Sequence, residues 1–391
     1  MKLEILGTQL NIWGIYCAIG ALCAVAAMGV VCFHRKVKTG SAAILGLLSL
    51  LLGIICSRVI YCLFMTMTTV RLPFTSWIRI TDGGWSLFGM IGGVMLAAWI
   101  SAKITRESPG KMLDAVSTAL PLMIAAERIG EGALQSFFNE TKDVFNLSRP
   151  VSSEGFLTIV NSGKTYLATY RIDAFLAMIL FLILVFSLLN RKNRDGDIWI
   201  LFMLLCGAGG VLAESLRKDQ FLEYSFVRIQ QVLAAVMMVA GIAAAGYRNR
   251  KKTGYLYIVA LITVLLTIAE CIGLEFIIDR SKATHSTIYG VMMGALAIPV
   301  IQGILLMSMR RGNDGTDSAA VEKKLSAVTA AALSVSLAVT ISLLLEMGRI
   351  HYTDKYMLLA VLPAAVILML HCAITHLAFR VKNHPDTQEN R

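Results

Sequence analysis

The chain has 391 residues, of which 57% are hydrophobic and only 16% charged, and its formal net charge is +11. A soluble chain of this length carries nearer a quarter charged residues, so composition excludes an ordinary soluble enzyme and indicates a polytopic membrane protein. The positive charge sits in short tracts directly after apolar segments, as membrane-flanking charge does, so no nucleic-acid partner is expected.

Apolar runs of about 18 residues or more, each long enough to cross a hydrocarbon core of about 30 Å, are expected to form helices. They fall near 11–33, 41–66, 84–102, 112–130, 172–189, 197–216, 226–247, 255–276, 286–308, 325–347 and 356–379. The predicted fold is therefore an all-α transmembrane bundle of about eleven spans. Segment 137–170 is the one long polar stretch and reads as a small extracytoplasmic head, with the serines of SRPVSSEG in solvated loop. With the N-terminus outside, the inner loops hold an excess of Lys and Arg, among them Arg35, Lys36, Lys38, Arg191, Lys192 and Arg194. That bias sets the expected topology as N-out, C-in.

The first residues, MKLEILGTQLN, lack a basic start and a small-residue cleavage site, so a removable signal peptide is not expected. All eight cysteines lie inside apolar runs without paired metal-ligand spacing, and buried reduced thiols are the expectation. No metal or other cofactor is expected.

The segment Asp114–Ser136, DAVSTALPLMIAAERIGEGALQS, begins as an apolar helix and then places Glu127, Arg128 and Glu131 within about a turn of one another. A charge at membrane depth costs about 2.5–3.5 kcal/mol on insertion scales, so such a cluster has a partner or a task. Arg128 reads either as a structural ion pair with Glu131 or Glu127, or as a ligand-facing cation steered by them. Arg58 in GIICSRVIYCLF lies three residues before Tyr61 and on the same helix face. It reads either as a snorkelling arginine or as a ligand of an anionic headgroup. Glu214 and Arg217 close the sixth run at i, i+3, and Arg228, Gln230 and Gln231 open the seventh at a similar depth. Arginine-bearing helix ends gathered in the outer half of a membrane suit a lipid phosphate. A Glu followed by Arg also closes two later runs (Glu275 with Arg280, Glu346 with Arg349), a weak repeat that convergent helix-end charge explains.

Residues 1–250 resemble the prolipoprotein diacylglyceryl transferase family. The stretches that carry the likeness are IWGIYCAIG, GIICSRVIYCLF, GGWSLFGMIGG, LDAVSTALPLMIAAERIG, GDIWILFMLLCGAGGVLAESLRKD and QVLAAVMMVAG, in the family's order. The likeness implies transfer of diacylglyceryl from phosphatidylglycerol, or another anionic lipid, to the lipobox cysteine of a prolipoprotein signal peptide. It places the protein in the bacterial cytoplasmic (inner) membrane as a multi-pass protein. Arg128 and Glu214 match as catalytic residues, and Arg58, Tyr61, Arg128, Arg217 and Gln231 as lipid- or phosphate-binding residues.

Several signature positions depart from the family. Phe88 stands for its His or Tyr, Met90 for a glycine, Glu131 and Leu134 for asparagines, Ser136 for an acid, and Gly210 for an arginine. The HPTQLYE stretch becomes LATYRID, Leu167 to Asp173. Residues 251–391 fall outside the likeness and are expected to form an additional four-helix membrane domain. The departures leave two further functions open: a non-catalytic lipid-binding or partner protein on this scaffold, and a lipid transporter.

Overall fold

A computed structural model of the chain describes residues 2–5, 8–68, 73–79, 83–134, 146–147, 150–151, 155–161, 163–189 and 194–217, with scattered positions from 223 to 244. The expected later helices, with Glu275, Arg280, Glu346 and Arg349, lie outside the described residues, as does Gln231.

The described part is mostly helical: α1 (Ile12–His34), α2 (Thr39–Thr68), α3 (Phe74–Ile78), α4 (Leu87–Thr105), α5 (Pro109–Glu131), α6 (Thr169–Leu189) and α7 (Asp197–Leu216). Six of these match the predicted runs to within a few residues. A hairpin, β1 (Lys2–Ile5) with β2 (Thr8–Asn11), precedes α1. Between α5 and α6 a small antiparallel sheet runs β3 (Pro150–Val151), β5 (Lys164–Leu167), β4 (Thr158–Asn161) in spatial order. The predicted seventh run does not start as a helix. It opens on β7 (Val227–Arg228), paired with β6 (Glu223–Tyr224), and is helical at 229–230 and 232–234.

Among the described residues four helices, α1, α2, α4 and α6, are long and apolar enough to cross a membrane. Their outward faces are apolar, with Leu22, Val30, Phe33, Leu47 and Phe186 all strongly exposed. In water such a surface would be very unfavourable, and against lipid chains it has no cost. The chain is thus a helical membrane protein. Helix α5 differs from these four. It carries Asp114, Glu127, Arg128 and Glu131, is buried along most of its length, and packs against α1, α4, α6 and α7. Because neighbouring helices shield it from lipid, polar groups can sit on it that a lipid-facing helix would exclude.

Small residues bring the helices together. On α4 an added Cβ at Gly93 would lie 2.3 Å from the Leu52 carbonyl oxygen, and one at Gly89 would lie 2.7 Å from that of Cys56. The α2–α4 backbones therefore approach as small-residue membrane contacts do. Among the six described cysteines none is in a disulfide. Cys32 and Cys62 are buried as expected, whereas Cys23 is exposed on the outer face of α1.

Asp114 anchors the inner end of α5. It is fully buried, and its carboxylate accepts from the Arg35 guanidinium at 3.1 Å and from the backbone N–H groups of Gly196 and Trp199 at 2.8 and 3.0 Å. Gly196, at φ +88°, is the N-cap of α7 and has no side chain to offer. Asp114 supplies from another helix the oxygen that a capping Ser or Asp ordinarily would. One carboxylate thereby ties the α1–α2 corner, α5 and α7. Asp114→Ala leaves Arg35 and the start of α7 without that oxygen, at an expected cost of about 3–5 kcal/mol. Thermal unfolding in detergent checks this: a melting point clearly below the parent is expected, and an unchanged one would refute the role.

Candidate functional site

Fourteen residues beyond Asp114, about 21 Å along the axis of α5, the helix ends in the charged cluster foreseen from the sequence. Arg128 is buried, and its guanidinium meets Glu131 at 2.7 Å, Glu127 at 3.4 Å and Asp173 at 3.5 Å. Glu131 and Glu127 come from the same helix end, and Asp173 from the second turn of α6. The opening turns of α1 close the site from another side. Trp13 and Tyr16 lie so close to Gly130 that an added Cβ there would sit 2.8 Å from Tyr16 Cβ, which is why glycine follows Ile129.

The segment between α5 and α6 reaches into this cluster. Asn146 is fully buried at φ +49°, a left-handed conformation that asparagine tolerates better than most residues. Its amide Nδ2 donates to Glu131 Oε2, and its Oδ1 accepts from the Thr169 hydroxyl at 2.7 Å. The order is therefore Arg128, Glu131, Asn146, Thr169, with every link a hydrogen bond between buried groups. Within the head expected over 137–170, Asn146 and Leu147 are fully buried.

Glu214 and Arg217 form the second pair, at 2.9 Å, both buried at the end of α7. Glu214 acts electrostatically on Arg128, and Arg217 acts on Asp173 and Glu127, so the two pairs belong to one charged site. Arg128, Glu214 and Arg217 are thus brought together.

Arg58 and Tyr61 occupy a different setting. The Arg58 guanidinium donates to four backbone carbonyls: Gly83, Gly84 at 2.9 Å, Ser76 at 2.5 Å and Arg79 at 2.9 Å. It also lies 5.7 Å from the Tyr61 ring centroid and 5.9 Å from that of Trp85. Gly84 rests on Tyr61 so closely that a Cβ would fall 2.2 Å from the ring. Arg58 here fastens the 73–86 segment onto α2. Its neighbour Ser57 completes the attachment, donating to the Ser86 carbonyl at 2.8 Å and accepting from the Ser86 N–H at 3.0 Å.

Reading the sequence alone missed Asn146, Thr169 and Asp173. For Asp173 a signal existed: a carboxylate one residue into an apolar run has the same cost as Glu131. Asn146 gave none, since a buried asparagine and a solvated one look alike in sequence.

Among the described residues no group of His, Cys, Asp and Glu is placed to hold a metal ion. What the site offers is guanidinium groups for an anion and carboxylates for a proton, enclosed by apolar helices.

A model of the prolipoprotein diacylglyceryl transferase family matches residues 1–247. Among curated proteins, the chain is similar to phosphatidylglycerol–prolipoprotein diacylglyceryl transferases of three organisms. The relative from Symbiobacterium thermophilum is 26% identical over 182 residues, 44% of this chain and 64% of that protein, just under two thirds of its length. The one from Clostridioides difficile is 24% identical over 55% of this chain and 82% of the relative. The one from Streptococcus pyogenes serotype M5 is 26% identical over 51% of this chain and 76% of the relative.

Two outcomes follow from the geometry. Asn146→Ala strands Glu131 and Thr169 and should cost about 1–3 kcal/mol; a thermal melt in detergent checks it, and an unshifted midpoint would show the bond to be idle. Arg58→Lys cannot hold four carbonyls with one ammonium, so limited proteolysis should cut the 73–86 segment faster than in the parent. Equal cutting rates would remove the fastening role.

Proposed function

Because the chain belongs to the prolipoprotein diacylglyceryl transferase family, we propose that it is a membrane transferase. It moves diacylglyceryl from phosphatidylglycerol to the thiol of a lipobox cysteine in a prolipoprotein signal peptide. The observation that carries this reading is the buried guanidinium of Arg128 in a charged cluster where α1, α5 and α6 meet, with the Glu214–Arg217 pair of α7 in electrostatic range.

In this reaction the cysteine sulfur forms a bond to the terminal glyceryl carbon as the bond from that carbon to the phosphate oxygen breaks. The electron pair leaves with glycerol phosphate, and the thiol proton passes to a carboxylate. Arg128 faces the phosphate and stabilises the charge that grows on it. Glu214, held by Arg217, receives the proton. Glu131 is held by Asn146, itself fixed by Thr169, and by Arg128, which limits its repulsion of the phosphate. Arg217 adds positive charge, whereas Arg58 and Tyr61 hold the segment that leads into α4. The same reading includes the finer topology: eleven spans, N-out and C-in, in a bacterial cytoplasmic membrane, with residues 1–250 as the transferase domain and 251–391 as a four-helix addition.

One observation favours a second reading, lipid binding without turnover. Arg128 already has three carboxylates within 3.5 Å, so its charge is largely neutralised before any phosphate arrives.

Purified protein in phosphatidylglycerol bilayers with a lipobox peptide separates the two readings. Release of glycerol phosphate is expected, falling about 10²–10³-fold in Arg128→Ala and recovering little in Arg128→Lys, because an ammonium lacks the planar fork. Lipid retention with no release, beside an active control enzyme in the same bilayers, would contradict the transferase.

A further inference from the structure

Strand β4 is entered through a tight turn at 155–158 that carries Phe156. Thr158 closes this turn, its hydroxyl accepting from the Gly155 N–H at 2.7 Å and donating to the Gly155 carbonyl at 2.8 Å. The turn is then pinned to α6. The Arg171 guanidinium donates to the Phe156 carbonyl at 2.8 Å and to that of Thr158 at 3.4 Å. With its backbone held, Phe156 leaves its ring 76% exposed, beside Phe175 of α6 at 6.0 Å between centroids.

A single exposed phenylalanine needs no explanation in itself. The place of this one gives it meaning. Phe175 begins a stripe of exposed apolar residues on α6, continued at helical spacing by Ile179, Leu182 and Phe186. That stripe is the lipid-facing side of a helix long and apolar enough to span a membrane. Phe175 lies six residues into α6, about 9 Å from its start, a depth to which interfacial apolar side chains reach. Arg171 precedes it by one turn on the same face, where a guanidinium can stay among headgroups. Phe156 thus extends the lipid-facing stripe from a separate part of the chain. Asp173, between Arg171 and Phe175 in sequence, is buried and meets Arg128 on another side of the helix.

We propose that the 155–158 turn is a membrane anchor whose Phe156 ring enters the leaflet beside Phe175 and packs among phospholipid acyl chains. The anchor holds the small sheet against the bilayer and fixes the depth of the α6 turn that bears Asp173. It does not depend on turnover at Arg128.

The test uses the unmodified full chain in nanodiscs containing a phosphatidylcholine with a diazirine near the carbonyl end of one acyl chain. After illumination, mass spectrometry should find lipid adducts on the 155–158 turn and on Phe175. Lys164, exposed at the far end of the β4–β5 hairpin, should carry none. In Phe156→Ser the adducts on the turn should fall about tenfold or more, the worth of one phenylalanine transferred from water, while those on Phe175 persist. A parent turn without lipid adducts overturns the proposal whether or not Phe156→Ser folds. Labelling of that turn by a water-soluble carbene precursor instead would show it in water, and protection from both reagents would show it covered by protein. Equal labelling at Lys164, or undiminished adducts in a folded Phe156→Ser, would also overturn the anchor.

Discussion

A buried arginine whose charge must be answered from several helices constrains the rest of this structure. Arg128 has almost no access to solvent, and leaving it unpaired would be strongly unfavourable. Its partners come from α5 itself, from the start of α6, and through electrostatic reach from the end of α7. Satisfying it therefore fixes where three helices end. The connection between α5 and α6 is drawn in as well, since Asn146 must be buried to hold Glu131. Such a network specifies one arrangement because any slip leaves a charge without its counterpart.

The other end of α5 solves a complementary problem. Asp114 is buried more completely than Arg128, but its partners are one arginine and two backbone N–H groups at the start of α7. It needs no ligand and leaves nothing over, so it is structural. Arg58 donates to four carbonyls and is likewise engaged within the fold, with its Nε left without a hydrogen-bond partner. The Arg128 end instead combines two guanidiniums with four carboxylates among the described residues, and the Asp173 Oδ1 atom has no hydrogen-bond partner. What distinguishes the Arg128 end is this concentration of buried opposite charges.

Helix positions were legible in the sequence because burial in lipid demands long apolar runs, and these announce themselves. The cluster around Arg128 was legible for the same reason, a charge being conspicuous in such a run. What a charge does there was not. Arg58 and Arg128 each stood late in an apolar helix as a structural or a ligand-facing arginine, and only the neighbouring backbone shows that Arg58 is occupied by carbonyls. Asn146 was hidden because its burial depends on a contact fifteen residues away in the chain. The replacements Phe88 and Gly210 read as two separate losses in the sequence. In space they meet, the ring covering the position where a larger side chain would stand. In this fold the two positions form one packing contact.

The transferase reading is tested most directly in cells depleted of their own prolipoprotein diacylglyceryl transferase. Expressed there, the chain should restore lipid-modified prolipoprotein, and Arg128→Ala at equal membrane abundance should not. Persistent accumulation of unmodified prolipoprotein, with the parent chain present in the membrane, would contradict the account.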